Sequence, residues 1–439
     1  MSEFQEVIQR GPVTLLEQRR EKAVLVGIDR QGQRWSVDAS LAELERLVDT
    51  AGADTVASTT QKLDAPNPRT FVGSGKAQEI ADLCRAFAAD LVVFDDELTP
   101  SQQSNLEKIV PRDVKVIDRT ALILDIFALH ATSKEGRLQV RLAQNQYLLP
   151  RLRGMWAHLA SNRMGGGVGS RFGEGESQLE VDRRMVRKRI TSIKRELEHV
   201  AQVRSIQRTE RYASNTFKIS LAGYTNAGKS SLLNRLTDAD VLSYDKLFAT
   251  LDSTTRKLVL PEGREVTLTD TVGFIQKLPT TLVDAFKSTL EEITGSDLVL
   301  HVVDISAPEF MDQMAAVEDI LGQIGAQDLD RVVVFNKSDL LEEDQLDAMK
   351  QRFAFACFVS SLTGMGVREL VNRIANVAAS KDRHLEVLIP YSAGNLVSLA
   401  HEKCRLLAEE YREDGTYLAL LANPQVAAAF EPYVLGAAT

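Results

Sequence analysis

The chain has 439 residues, enough for two to four domains of ordinary size. Its 44% hydrophobic and 26% charged residues are typical of globular proteins and exclude a fully disordered chain or a collagen. No stretch approaches the roughly 20 apolar residues of a membrane span, and the first residues lack an apolar signal core. The three cysteines lie far apart without a C-x-x-C pair, which gives no support for a zinc site or a disulfide framework. We therefore expect a cytoplasmic protein without a membrane span.

Alternating strand and helix patterns predict a small α/β domain over residues 1–135. The expected elements are strands at Ala23 to Ile28, Leu91 to Asp96 and Val114 to Asp118, and a helix around Leu41 to Asp49. The run VGSGKA (Val72 to Ala77) resembles a phosphate-binding loop, but Ala77 replaces the Ser or Thr, and Thr70 replaces the leading Gly. We interpret this run as a turn into a helix.

Residues 136–211 change to a heptad pattern, which predicts an antiparallel helical hairpin. The first apolar series is Leu138, Leu142, Asn145, Leu149, Leu152, Trp156 and Leu159, and the second is Leu179, Val186, Ile190, Ile193, Leu197 and Val200. Between them, the Gly-rich run 164–176 is too rich in glycine to continue either helix, so we expect a tip loop there. Pro150 lies inside the first series and predicts a kink, or a split of the helix at Leu149.

The net charge of −9 conceals a strongly basic hairpin. From Gly136 to Arg211 there are 16 Lys and Arg against 7 Asp and Glu, a local charge of +9, so the remainder carries −18. On the second helix the basic residues fall on outward positions: Arg183, Arg184, Arg187, Lys188, Arg189, Lys194 and Arg195. A solvated helix face would explain this pattern equally well. There is no acidic residue from Gly136 to Phe172, and this segment carries Arg163, Arg171 and Phe172 at the tip. The combination favours RNA, because guanidinium groups neutralise phosphate and Phe stacks on unpaired bases.

After Asn215 the apolar strand FKISLAG runs into GYTNAGKSS, the G-x-x-x-x-G-K-[ST] motif in its strand, loop and helix context. In this motif backbone amides hold the phosphates, Lys229 contacts the β and γ oxygens, and Ser230 ligates Mg²⁺. The motif therefore predicts a nucleoside triphosphatase fold over residues 215–382, in which strands and helices form a doubly wound sheet.

Two further motifs follow in the order expected of guanine-nucleotide proteins. DTVG (Asp270 to Gly273) follows the strand VTLTD, so that Asp270 holds Mg²⁺ through water and the Gly273 amide senses the γ-phosphate. NKSD follows the strand RVVVF, and Asp339 can accept hydrogen bonds from the guanine N1–H and exocyclic amine, which selects GTP over ATP. The run VSSLTG (Val359 to Gly364) completes the predicted base pocket.

The switch I threonine must lie between the P-loop and DTVG, where LFATLDSTT offers Thr250, Thr254 and Thr255. Spacing alone does not choose among them. After Gly273, many small GTPases place the Gln that orients water, but here Phe274 stands in that position, which predicts slow intrinsic hydrolysis raised by a partner. Asn226 is a candidate ligand of a K⁺ ion near the phosphates, and a loop-stabilising Asn is an equal alternative that rates in potassium and sodium would distinguish.

These residues resemble one family, the HflX ribosome-binding GTPases, over nearly the whole chain. The resemblance rests on FVGSGKAQEI, DDELTPSQQSNLE, VIDRTALILDIFALHA, LQVRLAQNQYLLPRLRG, GVGSRFGEGESQLEVDRR, and FATLD ahead of DTVGFIQKLP. It implies a protein that binds the large ribosomal subunit and its rRNA through the N-terminal domain and the basic hairpin. It also implies a role in splitting, rescue or recycling of ribosomes, with GTP hydrolysis stimulated by the ribosome.

The resemblance assigns the site residues of this chain. The family's switch I threonine matches Thr250, and its Mg²⁺ serine matches Ser230, while Lys229, Thr250 and Gly273 are the expected catalytic residues. Expected contacts to GTP or GDP are Gly223, Tyr224, Thr225, Asn226, Ala227, Gly228, Lys229, Ser230, Phe248, Ala249, Thr250, Leu251, Asp252, Asp270, Thr271, Val272, Gly273, Asn336, Lys337, Ser338, Asp339, Ser360, Ser361 and Leu362. In the tip loop and directly after it, Ser170, Phe172, Glu174 and Ser177 depart from the family's pattern G-T-R-G-P-G-E-T, which leaves the rRNA contacts of the tip undefined.

Residues 383–439 predict a small αβ C-terminal domain, with a strand at Leu385 to Ile389, a helix after Ser392, a turn at Glu413 to Thr416 and the strand YLALL. No exposed strip demands a dimer, so we expect a monomer. Two alternatives to the ribosome-splitting role remain open. One is a GTPase of ribosome assembly or RNA modification, and the other is a non-catalytic rRNA clamp in which GTP only sets the shape.

Overall fold

The computed structural model describes residues 19–162, 172–212, 216–237, 247–248, 253–277, 287–422 and 424–435. The chain forms two compact units that divide between Leu122 and Ile123. Across the described residues the architecture is multidomain α/β, as the sequence predicted, and it contains three sheets. None of the helices in those ranges is both long enough and apolar enough to cross a membrane.

A four-stranded parallel sheet of order β2-β1-β3-β4 forms the centre of the first unit. Its elements are β1 (Glu21–Asp29), α1 (Val37–Thr50), β2 (Ala53–Lys62), α2 (Ser74–Phe87), β3 (Leu91–Phe94), α3 (Pro100–Glu107), β4 (Lys115–Asp118) and the start of α4 (Arg119–His130). The predicted strands and the predicted turn into a helix at Gly73 are confirmed. The edge strand β2 was not predicted, because its sequence ADTVASTTQK is polar and half-exposed.

A buried cluster of charged residues joins the helices and strands of this unit. The side chain of Arg119 is 1% exposed and donates to Glu43 Oε1 at 2.6 Å and to Asp95 Oδ1 at 2.7 Å. Ser40 Oγ donates to the other oxygen of Asp95 at 2.6 Å. Buried charges are tolerated when they are paired and hydrogen-bonded in this way, so the cluster fixes α1, β3 and α4 to one another.

The second unit begins with the remainder of α4 and two long helices that pack along each other, α5 (Lys134–Asn162) and α6 (Phe172–Tyr212). The predicted apolar seam is confirmed along the described side chains. On α5, Leu138, Leu142 and Leu152 are buried, and on α6, Val186 is buried while Ile190, Ile193, Leu197 and Val200 are half-buried. The outward basic residues of α6 are exposed, apart from Arg183, which is half-buried.

Two expectations for the hairpin need correction. Of the two alternatives for Pro150, a split of the helix at Leu149 was wrong, since α5 continues through Pro150 as one helix of 29 residues. The tip loop does not extend to Glu176, since α6 begins at Phe172 and includes Gly173 and Gly175. A helical glycine costs about 1 kcal/mol relative to Ala, which the packing of a 41-residue helix can offset. Residues 163–171 of the predicted loop lie outside the described residues.

A six-stranded sheet of order β10-β9-β8-β5-β7-β6 follows, parallel throughout apart from β6, which pairs antiparallel with β7. Its strands are β5 (Phe217–Gly223), β6 (Thr254–Val259), β7 (Glu265–Asp270), β8 (Leu298–Asp304), β9 (Arg331–Asn336) and β10 (Cys357–Phe358). The accompanying helices are α7 (Lys229–Thr237), α8 (Lys287–Thr294), α9 (Phe310–Gln323), α10 (Glu343–Arg352) and α11 (Val367–Ser380). Apolar strands buried between helices explain the predicted doubly wound sheet.

The last part of the chain is a three-stranded antiparallel sheet of order β11-β13-β12. Its elements are β11 (Arg383–Ile389), α12 (Gly394–Lys403), β12 (Arg405–Arg412), β13 (Gly415–Ala422) and α13 (Pro424–Phe430). The core contains Val387, Leu418, Leu420 and Phe430, each fully buried. Arg264, in the turn before β7, donates to both carboxylate oxygens of Asp382 at 3.0 and 3.1 Å, which ties the six-stranded sheet to the start of this part.

Candidate functional site

The P-loop, Gly223 to Ser230, leaves the central strand β5 and enters α7, so it lies at the carboxyl edge of the parallel strands. Two of its glycines, Gly223 and Gly228, lie so close to neighbouring residues that a side chain would not fit. A Cβ at Gly223 would lie 2.2 Å from the Val302 carbonyl oxygen, and one at Gly228 would lie 2.3 Å from Asn336 Nδ2. Gly228 also has a φ of +86°, where a side chain is strained. The loop is therefore tightly packed, as expected of a loop whose backbone amides surround a phosphate.

Lys229, the first residue of α7, is 6% exposed and turns its ammonium group into this loop. Its Nζ donates to the carbonyl oxygens of Gly223 at 3.1 Å and Tyr224 at 2.9 Å. Burial lowers the pKa of Lys229 to about 8, although the Asp270 carboxylate acts in the opposite direction. A buried cation beside backbone amides at a helix N-terminus provides the electrostatics for binding phosphate.

The residues expected to hold the divalent cation lie together. Ser230 Oγ donates to Asp270 Oδ2 at 2.6 Å, and Asp270 is fully buried at the end of β7. Thr271 is fixed by a hydrogen bond of 2.7 Å from its hydroxyl to the Leu221 carbonyl. Next in the chain, Val272 is buried and Gly273 follows it. A hydroxyl and a carboxylate oxygen at this distance form the hard oxygen donor set that suits Mg²⁺.

Gly273 packs directly on the P-loop, which leaves no room for a side chain. A Cβ there would lie 2.8 Å from Thr225 Cγ2, 2.9 Å from Thr225 Cα and 3.0 Å from Lys229 Nζ. Phe274, in the position where many GTPases place a Gln, is fully buried. The aromatic ring is thus part of the core and offers no group that could orient water.

The predicted guanine-recognition residues lie at the end of β9, on the far side of the P-loop. Asn336 is fully buried, donates from Nδ2 to the Ala227 carbonyl at 2.9 Å, and accepts at Oδ1 from the Ser361 amide at 3.0 Å. This one side chain therefore joins the P-loop to the VSSLTG run. Lys337 has a φ of +60° and its Nζ contacts Asp304 Oδ2 at 2.7 Å.

The remaining residues of this predicted pocket form two short turns. Ser338 is buried and donates from its hydroxyl to the Phe335 carbonyl at 3.0 Å, while Asp339 follows half-buried. Ser360 is fully buried and its hydroxyl accepts from the Thr363 amide at 3.0 Å. Leu362, by contrast, is 79% exposed, so its side chain has no enclosing wall.

The predicted switch I residues are described only in part, since Ala249, Thr250, Leu251 and Asp252 lie outside the described residues. Phe248 is 2% exposed and has a φ of +58°. Its ring meets that of Phe127 in α4 edge to face, with centroids 4.6 Å apart. Thr254 and Thr255, the other two candidates for the switch I threonine, both lie in β6. There Thr255 Oγ1 is 3.0 Å from Thr269 Oγ1.

Several contacts at this edge were not predicted from sequence. Arg235 in α7 donates from Nε to the Ser361 carbonyl at 3.1 Å and from Nη2 to the Leu362 carbonyl, which holds the VSSLTG turn. Asp304, the partner of Lys337, ends β8, and a carboxylate at the end of an apolar strand was a signal that could have found it. The Tyr224 hydroxyl accepts from the Gln276 amide at 2.7 Å, and no spacing rule indicates that pair.

A doubly wound sheet with these motifs at its carboxyl edge defines the chain as a P-loop GTPase. Three family models match it in succession: "GTP-binding GTPase N-terminal" at residues 38–128, "GTP-binding GTPase Middle Region" at 130–211, and "50S ribosome-binding GTPase" at 218–337.

Relatives of similar length are found in distant bacteria. GTPase HflX of Lacrimispora saccharolytica is 44% identical over 409 residues, which cover 92% of this chain and 94% of the relative. GTPase HflX of Escherichia coli K12 is 41% identical over 398 residues, with 90% and 92% covered. A GTP-binding protein of Sulfolobus solfataricus, solved with GDP, gives a TM-score of 0.43 at 23% identity and covers 82% of this chain and 99% of its own. The chain belongs to the HflX family, and it binds and hydrolyses GTP.

Proposed function

We propose that the residues at the carboxyl edge of the six-stranded sheet bind GTP in the roles that the sequence predicted. The P-loop amides and Lys229 hold the phosphates, and the Gly273 amide contacts the γ-phosphate. Asp339 accepts from the guanine N1–H and exocyclic amine, while Asn336 braces the P-loop against the Ser360, Ser361 and Leu362 turn. The hydrogen bonds of 2.9 and 3.0 Å made by Asn336 support this assignment, because they join both ends of the pocket.

Ser230, together with Thr250 of switch I, would ligate Mg²⁺, with Asp270 acting through water. When bound, Mg²⁺ neutralises charge on the β- and γ-phosphates. The 2.6 Å contact between Ser230 Oγ and Asp270 Oδ2 supports this site, since it brings two suitable oxygen donors together. Asn226, with a φ of +60°, remains a candidate ligand for K⁺ at the P-loop.

We further propose that this GTPase binds the large ribosomal subunit and acts in splitting, rescue or recycling of ribosomes. The observation that carries this proposal is the basic outer face of α6. Six residues on that face are exposed, opposite the apolar seam: Arg184, Arg187, Lys188, Arg189, Lys194 and Arg195. A concentrated positive face on a protein of net charge −9 suits the phosphate backbone of rRNA. The family model named "50S ribosome-binding GTPase" supports the same partner.

In this proposal the chain works as four parts: residues 1–135, 136–211, 215–382 and 383–439. The first two dock on rRNA, and the nucleotide state of the third controls docking. The protein acts as a monomer in the cytoplasm, bound to ribosomes for part of its cycle. Hydrolysis then releases it.

The test is GTP hydrolysis by the pure protein, alone and with large ribosomal subunits, at fixed potassium and salt. We expect a rise of about tenfold or more, equivalent to about 1.4 kcal/mol of barrier. The triple variant Arg187→Glu, Lys188→Glu, Arg189→Glu should lose this rise and keep the basal rate. A matched control reverses three exposed charges elsewhere, Lys257→Glu, Lys350→Glu and Arg352→Glu, and should keep both.

An unchanged rate, with subunit binding intact by cosedimentation, would remove the ribosome-activated role. Incubation of intact ribosomes with the protein and GTP then tests splitting directly, since free subunits should accumulate. If Lys229→Ala blocks hydrolysis but leaves splitting intact, the protein is a nucleotide-gated clamp.

A further inference from the structure

Tyr224, the second residue of the P-loop, makes a side-chain contact that reaches across to the segment after DTVG. Its ring is 4% exposed, and its hydroxyl oxygen accepts a hydrogen bond of 2.7 Å from the backbone amide of Gln276. The two residues are 52 positions apart in the chain. The contact is buried, so it is shielded from competition with water.

Two backbone hydrogen bonds join the same two segments closer to the strand ends. The Phe274 amide donates to the Gly223 carbonyl at 3.1 Å, and the Thr225 amide donates to the Phe274 carbonyl at 2.7 Å. Together they extend the pairing of the sheet by one parallel bridge, Tyr224 to Phe274. Gly273 lies against Thr225 at a distance that excludes a Cβ. The DTVG segment is therefore attached to the P-loop along its length.

The Tyr224 hydroxyl extends this attachment two residues beyond the last backbone bond. Ile275 is 1% exposed, Gln276 is 4% exposed, and at Lys277 the backbone turns with a φ of +53°. Gln276 and Lys277 therefore lie in a turn that begins two residues after the bridge between Tyr224 and Phe274. Loss of this hydrogen bond would remove the Tyr224 oxygen as an acceptor for a buried backbone amide, and loss of a buried hydrogen bond is costly.

We propose that Tyr224 is a positioning residue for GTP hydrolysis. Its hydroxyl fixes residues 274–276 against the P-loop, and so holds the Gly273 amide where the γ-phosphate of bound GTP is contacted. Because GDP lacks that phosphate, the contact matters for GTP and for the transition state and not for GDP. This role rests on the proposed contact between the Gly273 amide and the γ-phosphate, and it concerns the intrinsic reaction without the ribosome.

The test is Tyr224→Phe, which removes one oxygen atom and keeps the buried ring. We expect kcat to fall about tenfold and affinity for a non-hydrolysable GTP analogue to fall about three- to tenfold, with GDP affinity within twofold of the parent. Rates are normalised to GDP-binding sites, so that loss of folded protein does not count as loss of catalysis. The matched control is Tyr411→Phe, which removes a hydroxyl that donates to Glu409 at 3.2 Å on an exposed tyrosine and should change none of the three quantities.

Two results would overturn the proposal. If kcat and analogue affinity stay within twofold of the parent, the hydroxyl does not position the segment. If affinity for GDP falls as much as affinity for the analogue, Tyr224 supports the P-loop as a whole, and its role is structural.

Discussion

A single buried ammonium group controls the electrostatics of the P-loop. Lys229 donates hydrogen bonds from Nζ to the carbonyl oxygens of Gly223 and Tyr224, and burial lowers the pKa of Lys229 to about 8. Carbonyl dipoles compensate a buried charge only partly, whereas phosphate oxygens carry full charges. The Lys229 ammonium group is therefore held close to the position in which it would contact the phosphates. Bound phosphates would stabilise its charge better than the carbonyl groups do.

The lowered pKa of Lys229 predicts that GTP binding is coupled to proton uptake. At pH 8.5, above the folded pKa of about 8, most Lys229 side chains are neutral without nucleotide, and bound phosphates should restore the charged form. GTP binding should then take up about three-quarters of a proton per site at pH 8.5 and almost none at pH 6.5. Calorimetry in buffers of different ionisation enthalpy measures this number. Uptake that persists in Lys229→Met, wherever binding is measurable, would assign the proton to another group.

The lowered pKa of Lys229 also makes the free energy of unfolding depend on pH. The folded pKa lies below the ordinary value of 10.5, so the unfolded chain binds more protons between about pH 8 and pH 10.5. The contribution of Lys229 to the free energy of unfolding therefore rises through that window in the nucleotide-free protein. It is lowest below pH 8, where the buried ammonium is charged in both states.

At the scale of elements, the seam between α5 and α6 stabilises the hairpin. Apolar residues recur on α6 at steps of three and four from Val186 to Val200, and they are the least exposed residues of that stretch. The opposite face is basic and exposed, so it contributes little to the packing. The hairpin thus depends on a narrow stripe of side chains for its stability.

Removing one member of this stripe should loosen both helices. Leu142→Ala removes a side chain that is 8% exposed, and such a change costs about 2 kcal/mol or more. We expect hydrogen exchange of the α5 and α6 amides to speed up by about 30-fold, with little change in the six-stranded sheet. Leu129→Ala, at a side chain that is 66% exposed in α4, is the control and should leave exchange unchanged. Equal effects of both changes would mean that the seam does not hold the hairpin.

Much of this architecture could be predicted from sequence, because strands buried on both faces read as apolar runs. The strands β1, β3, β5 and β9 follow that rule, and motifs at the ends of parallel strands must meet at one edge. The strand β2 could not be predicted in this way, since an edge strand needs only one neighbour and tolerates a polar sequence. The helical start of α6 was missed because local glycine content outweighed the cooperativity of a long helix.

Side-chain partners were harder to predict than elements. The cluster of Arg119, Glu43 and Asp95 joins residues up to 76 positions apart. Nothing in the spacing of such residues indicates which carboxylate meets which guanidinium. The same holds for Tyr224 and Gln276, whose contact depends on how two loops end. Sequence motifs thus predicted where the chemistry lies, and packing determines how it is held.

For the whole molecule, the separation of charge is the dominant feature. The hairpin carries +9 while the remainder carries −18. The electrostatic potential is therefore positive around the hairpin and negative around the rest of the protein. In the proposed binding to rRNA, the basic hairpin would be attracted and the acidic remainder repelled. This asymmetry would orient the protein on rRNA before any specific contact forms.

Salt should weaken the proposed ribosome binding in proportion to the phosphates contacted. Changing Arg187, Lys188 and Arg189 to Gln should reduce the slope of log affinity against log salt concentration by about two. Cosedimentation with large subunits at several potassium chloride concentrations and fixed Mg²⁺ measures the slope. A slope equal to that of the parent would mean that the α6 face does not contact phosphates. The neutral control, Lys257→Gln with Lys350→Gln and Arg352→Gln, should keep the parent slope.

The contact between Phe127 and Phe248 sets a threshold on movement of the segment that leads to Thr250. Both rings are almost fully buried, and they meet edge to face. Withdrawing Phe248 would give up that contact, about 0.5–1.5 kcal/mol, and would expose apolar area as well. A gap of about 2.7 kcal/mol leaves the withdrawn state near 1% of molecules. At such a gap, a ligand that draws this segment away must bind the withdrawn form about a hundredfold more tightly to populate the two forms equally.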